Sequence, residues 1–228
     1  MNVALPLALI RAIQFVFAVM WTWPPLNAES ALRIDGCCWI VFGTYWAVSA
    51  LGQKAAKKRE NVLERLRHTI PMAVAFALLF RSDIGYGRIG WRFAPDAEAL
   101  YLLGLALTGA GVSFAIWARW HLGRNWSAIV SIRKGHELIL TGPYRAVRHP
   151  IYTGMLLAVA GTVLIVGEFR ALIAFAILLA SFYLKARKEE YWLAHEFGER
   201  FEAYAKRTGM FIPRFLIFLA REGTDALL

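Results

Sequence analysis

Two polar clusters interrupt an otherwise apolar chain, and they hold the side chains best placed to do chemistry. Residues 136–154 read His-Glu-Leu-Ile-Leu-Thr-Gly-Pro-Tyr-Arg-Ala-Val-Arg-His-Pro-Ile-Tyr-Thr-Gly. Pro150 suits the first turn of a helix, so Arg148 and His149 fall at its start and Tyr152 in its first turn. The free N–H groups of such a turn favour an anion. Upstream, Gly142-Pro143-Tyr144 specifies a turn that presents a second phenol. The second cluster is Lys185, Arg187, Lys188, Glu189 and Glu190, directly after the last apolar run. Lys185 and Glu189 are four apart and share a helical face. Glu189 and Glu190 point about 100° apart on a helix, so one pocket is expected to receive Glu189 and not both. Leu193, Phe197, Phe201 and Tyr204 keep helical spacing and predict an amphipathic tail helix that closes the loop of 131–152 into a pocket. Taken alone, the same residues also suit an interfacial belt of Tyr, His and Arg with a weak surface ion pair.

The elements that must position these clusters are membrane helices. Hydrophobic residues make up 58% of the 228, charged residues 18%, and the mean hydropathy is +0.47. Such a composition leaves too little polar surface for a soluble domain and predicts an all-α, polytopic integral membrane protein. The apolar spans are 3–23, 36–52, 69–81, 98–118 and the long stretch 151–187. Gly167-Glu168, with Arg170 just after, breaks the last stretch, because a carboxylate in the middle of a membrane helix is costly. The expectation is a tight helical hairpin and about six membrane helices in all. Residues 1–118 then form the N-terminal helices, and 119–228 the part carrying both polar clusters.

Charge orients the chain. Segments 53–68, 119–150 and the tail from Lys185 hold 20 of the 26 Lys and Arg residues. The positive-inside rule puts these segments, and both termini, in the cytoplasm. The net charge of +10 needs no nucleic acid, since anionic lipid headgroups attract juxtamembrane Lys and Arg. The first apolar segment lacks a strongly basic start and an obvious cleavage site, and is expected to be a retained helix. The protein is accordingly read as a bacterial inner-membrane protein. Gly85-Tyr-Gly87-Arg-Ile-Gly90 matches a dinucleotide fingerprint but follows no strand, and is read as a turn. Cys37, Cys38 and the five His residues show no metal-ligand spacing, so no metal is expected. Gly104, Gly109 and Gly111 are read as helix-packing positions.

Beyond these readings, the chain resembles the isoprenylcysteine carboxyl methyltransferase family, within the membrane methyltransferases that include phospholipid N-methyltransferases. The resemblance rests on His136-Glu-Leu-Ile139, Gly142-Pro-Tyr144 and Arg148-His-Pro-Ile-Tyr-Thr-Gly154, followed by Glu189-Glu190 and Phe197-Gly through Tyr204. It covers roughly residues 119–214. It implies an S-adenosylmethionine site on the cytoplasmic side, with cofactor contacts at Ser131, His136, Glu137, Leu138, Ile139, Tyr144, His149, Pro150, Ile151, Tyr152 and Glu189. It also implies a lipophilic small-molecule or lipid acceptor, a carboxylate as in prenylcysteine methylation. The family's substrate-facing arginine falls on Lys185, a departure that keeps the charge and loses the bidentate fork. Membrane sterol reductases resemble the same half and use a nicotinamide cofactor there, which leaves a reductase, or a membrane protein without enzyme activity, as the alternatives.

Overall fold

The computed structural model describes residues 26–51, 62–84, 87–123 and 138–214. Among them every helix or sheet element of more than a single bridge is helical: α1 (Ala28–Leu51), α2 (Val62–Phe80), α3 (Glu98–Leu122), α4 (Pro150–Val166), α5 (Phe169–Phe197) and α6 (Glu199–Arg207). Short 3-10 turns lie at Ser82–Ile84, Gly87–Gly90 and Gly142–Arg145. The all-α expectation therefore holds for these residues. By length and composition α3 and α5 are able to cross a membrane, while α4 and residues 69–80 of α2 are shorter apolar helices. The expected span 3–23 lies outside the described residues.

Two helices begin earlier than hydropathy predicts. α1 starts at Ala28 because Asn27 and Ser30 cap it reciprocally: Ser30 N–H donates to Asn27 Oδ1 at 2.9 Å, and Asn27 N–H to Ser30 Oγ at 3.1 Å. α2 takes in residues 62–68, part of the basic segment expected to be loop, and continues through Pro71.

Small residues decide how the bundle closes. α3 and α4 meet through glycines seven residues apart on each helix. A Cβ at Gly111 would lie 2.4 Å from the Ala158 nitrogen, and one at Gly161 would lie 2.3 Å from the Gly104 oxygen. The two backbones touch, as small-residue seams allow. Gly109 has nothing within 4 Å and plays no part in this seam, contrary to the sequence expectation. α1 packs on the α3–α4 pair through Asp35, fully buried, which accepts from Thr108 Oγ1 at 2.7 Å and Thr162 Oγ1 at 3.0 Å. Trp39 Nε1 donates to Thr162 Oγ1 at 2.9 Å, so one polar knot ties three helices.

The long apolar stretch is a hairpin. Gly167 takes φ +66° and donates back to Val163 O at 2.8 Å, which ends α4 with a left-handed cap. Arg170 on the new helix pairs with Glu168 at 2.5 Å and reaches carbonyls of Leu78, Leu79 and Arg81 at the end of α2. With 29 residues α5 is about 43 Å long at ~1.5 Å per residue, longer than a hydrocarbon core of ~30 Å. Its last turns thus carry Lys185, Glu189 and Glu190 on the same continuous helix as the span. The expected single tail helix does not form. Gly198, at φ +50°, turns the chain between Phe197 and α6, so Phe201 and Tyr204 are buried from a separate short helix.

Candidate active site

The site is assembled where the start of α4 meets the end of α5. Pro150 is the first residue of α4 and His149 its N-cap, so His149 is fixed where the loop enters the helix. The loop is held on three sides. Gly142 takes φ +59°, and a Cβ there would strike the His121 ring at 2.6 Å. His121 Nε2 lies 2.9 Å from Thr141 Oγ1 and its ring stacks on Tyr144. From α6, Tyr204 donates to Tyr144 O at 2.7 Å. Burial pushes the Tyr144 phenol above its usual range and that of Tyr204 up to about 12, so both act as neutral donors.

Arg148 and His149 bring the two carboxylates together. His149 Nδ1 lies 3.4 Å from Glu189 Oε2, and its Nε2 lies 3.1 Å from Glu190 Oε1. Glu190 also accepts from Arg148 Nε at 2.6 Å, and Arg148 donates onward to Ala205 O at 3.1 Å and to Thr208 O. Glu189 accepts from Tyr152 Oη at 2.7 Å, and Lys185 Nζ sits 5.7 Å from the Tyr152 ring centre. Tyr152 stacks between His149, at 5.6 Å, and Phe182, at 5.0 Å. Both glutamates thus contact His149, which bears on the expectation that a single pocket receives Glu189 alone. The Cα directions do diverge, but His149 enters between them and takes one carboxylate on each ring nitrogen.

The charges follow from this geometry. Burial opposes the imidazolium of His149, yet the hydrogen bonds it donates to Glu189 and Glu190 outweigh it and hold its pKa above the ordinary value. Burial likewise opposes both carboxylates, and hydrogen bonds from His149, with Arg148 on Glu190, hold them below theirs. The cluster is a cation held between two anions. The Glu190 side chain is 11% exposed and paired with Arg148, whereas the Glu189 side chain is 25% exposed and is the more open of the two.

Residues 99–200 match the phospholipid methyltransferase family. A nickel-cobalt-cadmium resistance protein from Alcaligenes xylosoxydans xylosoxydans is 35% identical, covering 70% of this chain and 70% of that protein. The protein-S-isoprenylcysteine O-methyltransferase of Schizosaccharomyces pombe is 34% identical over 40% of each chain. Among solved structures, the eukaryotic intramembrane Ras methyltransferase, isoprenylcysteine carboxyl methyltransferase, superposes with a TM-score of 0.56 at 20% identity, over 84% of this chain and 68% of that one. The chain belongs to the isoprenylcysteine carboxyl methyltransferase family. As a member of that family it is a methyltransferase, and the reductase alternative falls away.

Within this family member, the sequence-expected residues fare unequally. Tyr144, His149, Tyr152, Glu189 and Lys185 gather around the start of α4, together with Pro150 and Ile151 in its buried first turn. Leu138 and Ile139 are half-buried in the irregular chain leading into the Gly142 turn. Ser131, His136 and Glu137 lie outside the described residues. Sequence reasoning assigns no role to Glu190 or Arg148 and does not mark His121, Phe182 or Phe211 as site residues. Arg148 is 42 residues from Glu190 and 60 from Thr208, so no local spacing announces either contact. Among the described residues no group of three or more His, Cys, Asp and Glu is arranged to hold a metal ion.

Proposed function

We propose that this protein is a membrane-embedded enzyme that uses S-adenosylmethionine to methylate a carboxylate on a lipophilic acceptor. The observation that carries the reading is His149 held at both ring nitrogens by carboxylates. An imidazole so placed keeps both protons and is not a free base. An amine acceptor has to lose a proton before it attacks, whereas a carboxylate attacks as it stands, so the cluster favours an acceptor already ionised. The name of the Schizosaccharomyces pombe relative, an isoprenylcysteine O-methyltransferase, points the same way.

The side chains fit the donor. S-adenosylmethionine supplies a methyl activated on a sulfonium, which demands orientation and exclusion of water more than acid or metal assistance. Glu189, fixed at Oε1 by Tyr152 and at Oε2 by His149, keeps a second acceptor site on each oxygen for an ammonium or a ribose hydroxyl. Tyr144, Leu138, Ile139, Pro150 and Ile151 shape the surrounding wall, and we assign Ser131, His136 and Glu137 to the same site from the family motif. Lys185 receives the acceptor's anion. The acceptor's apolar part enters laterally from the bilayer. The site then lies on the cytoplasmic face of a six-helix protein with both termini inside, in a bacterial inner membrane.

Labelled S-adenosylmethionine, supplied with purified protein and a farnesylcysteine analogue or a total membrane extract, tests the reading. Label is expected in a base-labile ester of a lipophilic product, and Lys185→Ala is expected to abolish it. Label confined to water-soluble products would refute lateral entry. A base-stable N-methyl product would refute the carboxylate acceptor.

A further inference from the structure

The chain after α6 returns to the site and deposits one aromatic ring on it. Three successive carbonyls of this strap face the start of α4. Gly209 O accepts from Arg148 N–H at 2.9 Å, Met210 O from His149 N–H at 3.1 Å, and Phe211 O from Thr153 Oγ1 at 2.8 Å. Val147 and Gly209 form a parallel bridge, and Arg148 binds the carbonyls of Ala205 and Thr208 just before it. The turn that follows is tight by necessity, since a Cβ at Gly209 would lie 1.7 Å from Ile212 O. So anchored, the Phe211 ring meets His149 edge-on at 6.1 Å and Tyr152 edge-on at 6.4 Å. These are the two rings that orient Glu189, through Nδ1 and the phenol respectively.

We propose that Phe211 is a positioning residue of the donor site. It holds the His149–Tyr152 stack in the register that fixes Glu189, and the strap that follows α6 is part of the site. The proposal rests on the donor reading above. Phe211 lies beyond residues 99–200, the stretch that matches the phospholipid methyltransferase family. Phe182 and His149 both stack on Tyr152, and Phe211 adds an edge-on contact to it. Edge-on aromatic contacts add orientation beyond simple burial. An aliphatic side chain of similar size therefore does not replace the ring.

The test is equilibrium binding of S-adenosylhomocysteine to the purified, full-length protein, with thermal unfolding of the ligand-free protein measured beside it. Phe211→Ala is expected to weaken binding at least fivefold and Phe211→Leu at least threefold. Phe211→Tyr should stay within twofold of the parent. Ile212→Ala, an exposed neighbour, should bind like the parent. Parent-like affinity in Phe211→Ala or Phe211→Leu overturns the proposal while leaving the donor site standing. So does a loss of ligand-free stability in which the folded fraction binds normally, because that identifies Phe211 as packing alone. A parent protein that does not bind the probe sinks the donor reading and this inference with it.

Discussion

Replacing Glu190 with leucine probes the centre of the site, because this one carboxylate serves two cations. Its Oε1 accepts from Arg148 at 2.6 Å and faces His149 Nε2 at 3.1 Å. The Arg148 and Glu190 side chains are 13% and 11% exposed, so solvent screens the pair little. Leucine keeps most of the volume and leaves a guanidinium facing an apolar group. Removing one partner of a buried ion pair costs about 3–5 kcal/mol. Arg148 retains the carbonyls of Ala205 and Thr208, and His149 retains Glu189, which places Glu190→Leu at the low end. For a chain of this size ~3 kcal/mol corresponds to a fall of roughly 6–12 °C in Tm. Arg148→Met should lose a similar amount, since it strands the carboxylate instead. The double variant should recover at least about 1.5 kcal/mol relative to the sum of the singles, the signature of contacting groups. Thermal unfolding of the four proteins in one detergent measures the cycle. Strictly additive losses would refute the pairing on which the account of His149 depends.

The remaining expectations concern function, pH and the helix seam. Glu189→Gln should weaken S-adenosylhomocysteine binding at least about tenfold, ~1.4 kcal/mol, with a smaller loss of stability than Glu190→Leu; equal effects in both assays would count against a ligand role. The pH dependence has a defined sign. His149 is raised, so its contribution is complete below its ordinary value of 6.5 and is lost as pH rises through the folded-state pKa. Glu189 and Glu190 are lowered, so theirs is complete above 4.5 and is lost as pH falls through their folded-state values. Stability of the cluster should therefore be greatest between about 4.5 and 6.5, and His149→Gln should remove the alkaline decline; an unchanged alkaline limb contradicts the assignment. Gly161→Ala should cost about 1–3 kcal/mol by overpacking against Gly104 and Thr108, while Gly109→Ala should stay within ~0.5 kcal/mol, both read by thermal unfolding.

How far such features are legible in the sequence depends on the distance over which each is decided. The hairpin at Gly167-Glu168 is readable because a charge beside a glycine inside an apolar stretch has few physical solutions, and the chain adopts one of them. The end of α5 is not readable in the same way. Gly198 takes a positive φ and stops the helix, while the apolar spacing of Leu193, Phe197, Phe201 and Tyr204 runs through it unaltered. Periodicity records which positions are apolar and is blind to one backbone angle. The glycines of α3 show the same limit, since Gly104 and Gly111 meet α4 and Gly109 does not, a distinction made by the partner helix. The two glutamates expose it most clearly. A helical wheel fixes the direction in which each Cβ leaves the axis, but a carboxylate is three torsions beyond Cβ. Its place is settled by what comes to meet it. Here that is a histidine from the start of α4, an arginine beside it, and a strap some 60 residues further along whose own contacts are mostly backbone. Residue types along the chain name the candidates for the chemistry, and the junction of α4, α5 and the returning strap decides which partners each carboxylate meets and how exposed it is left.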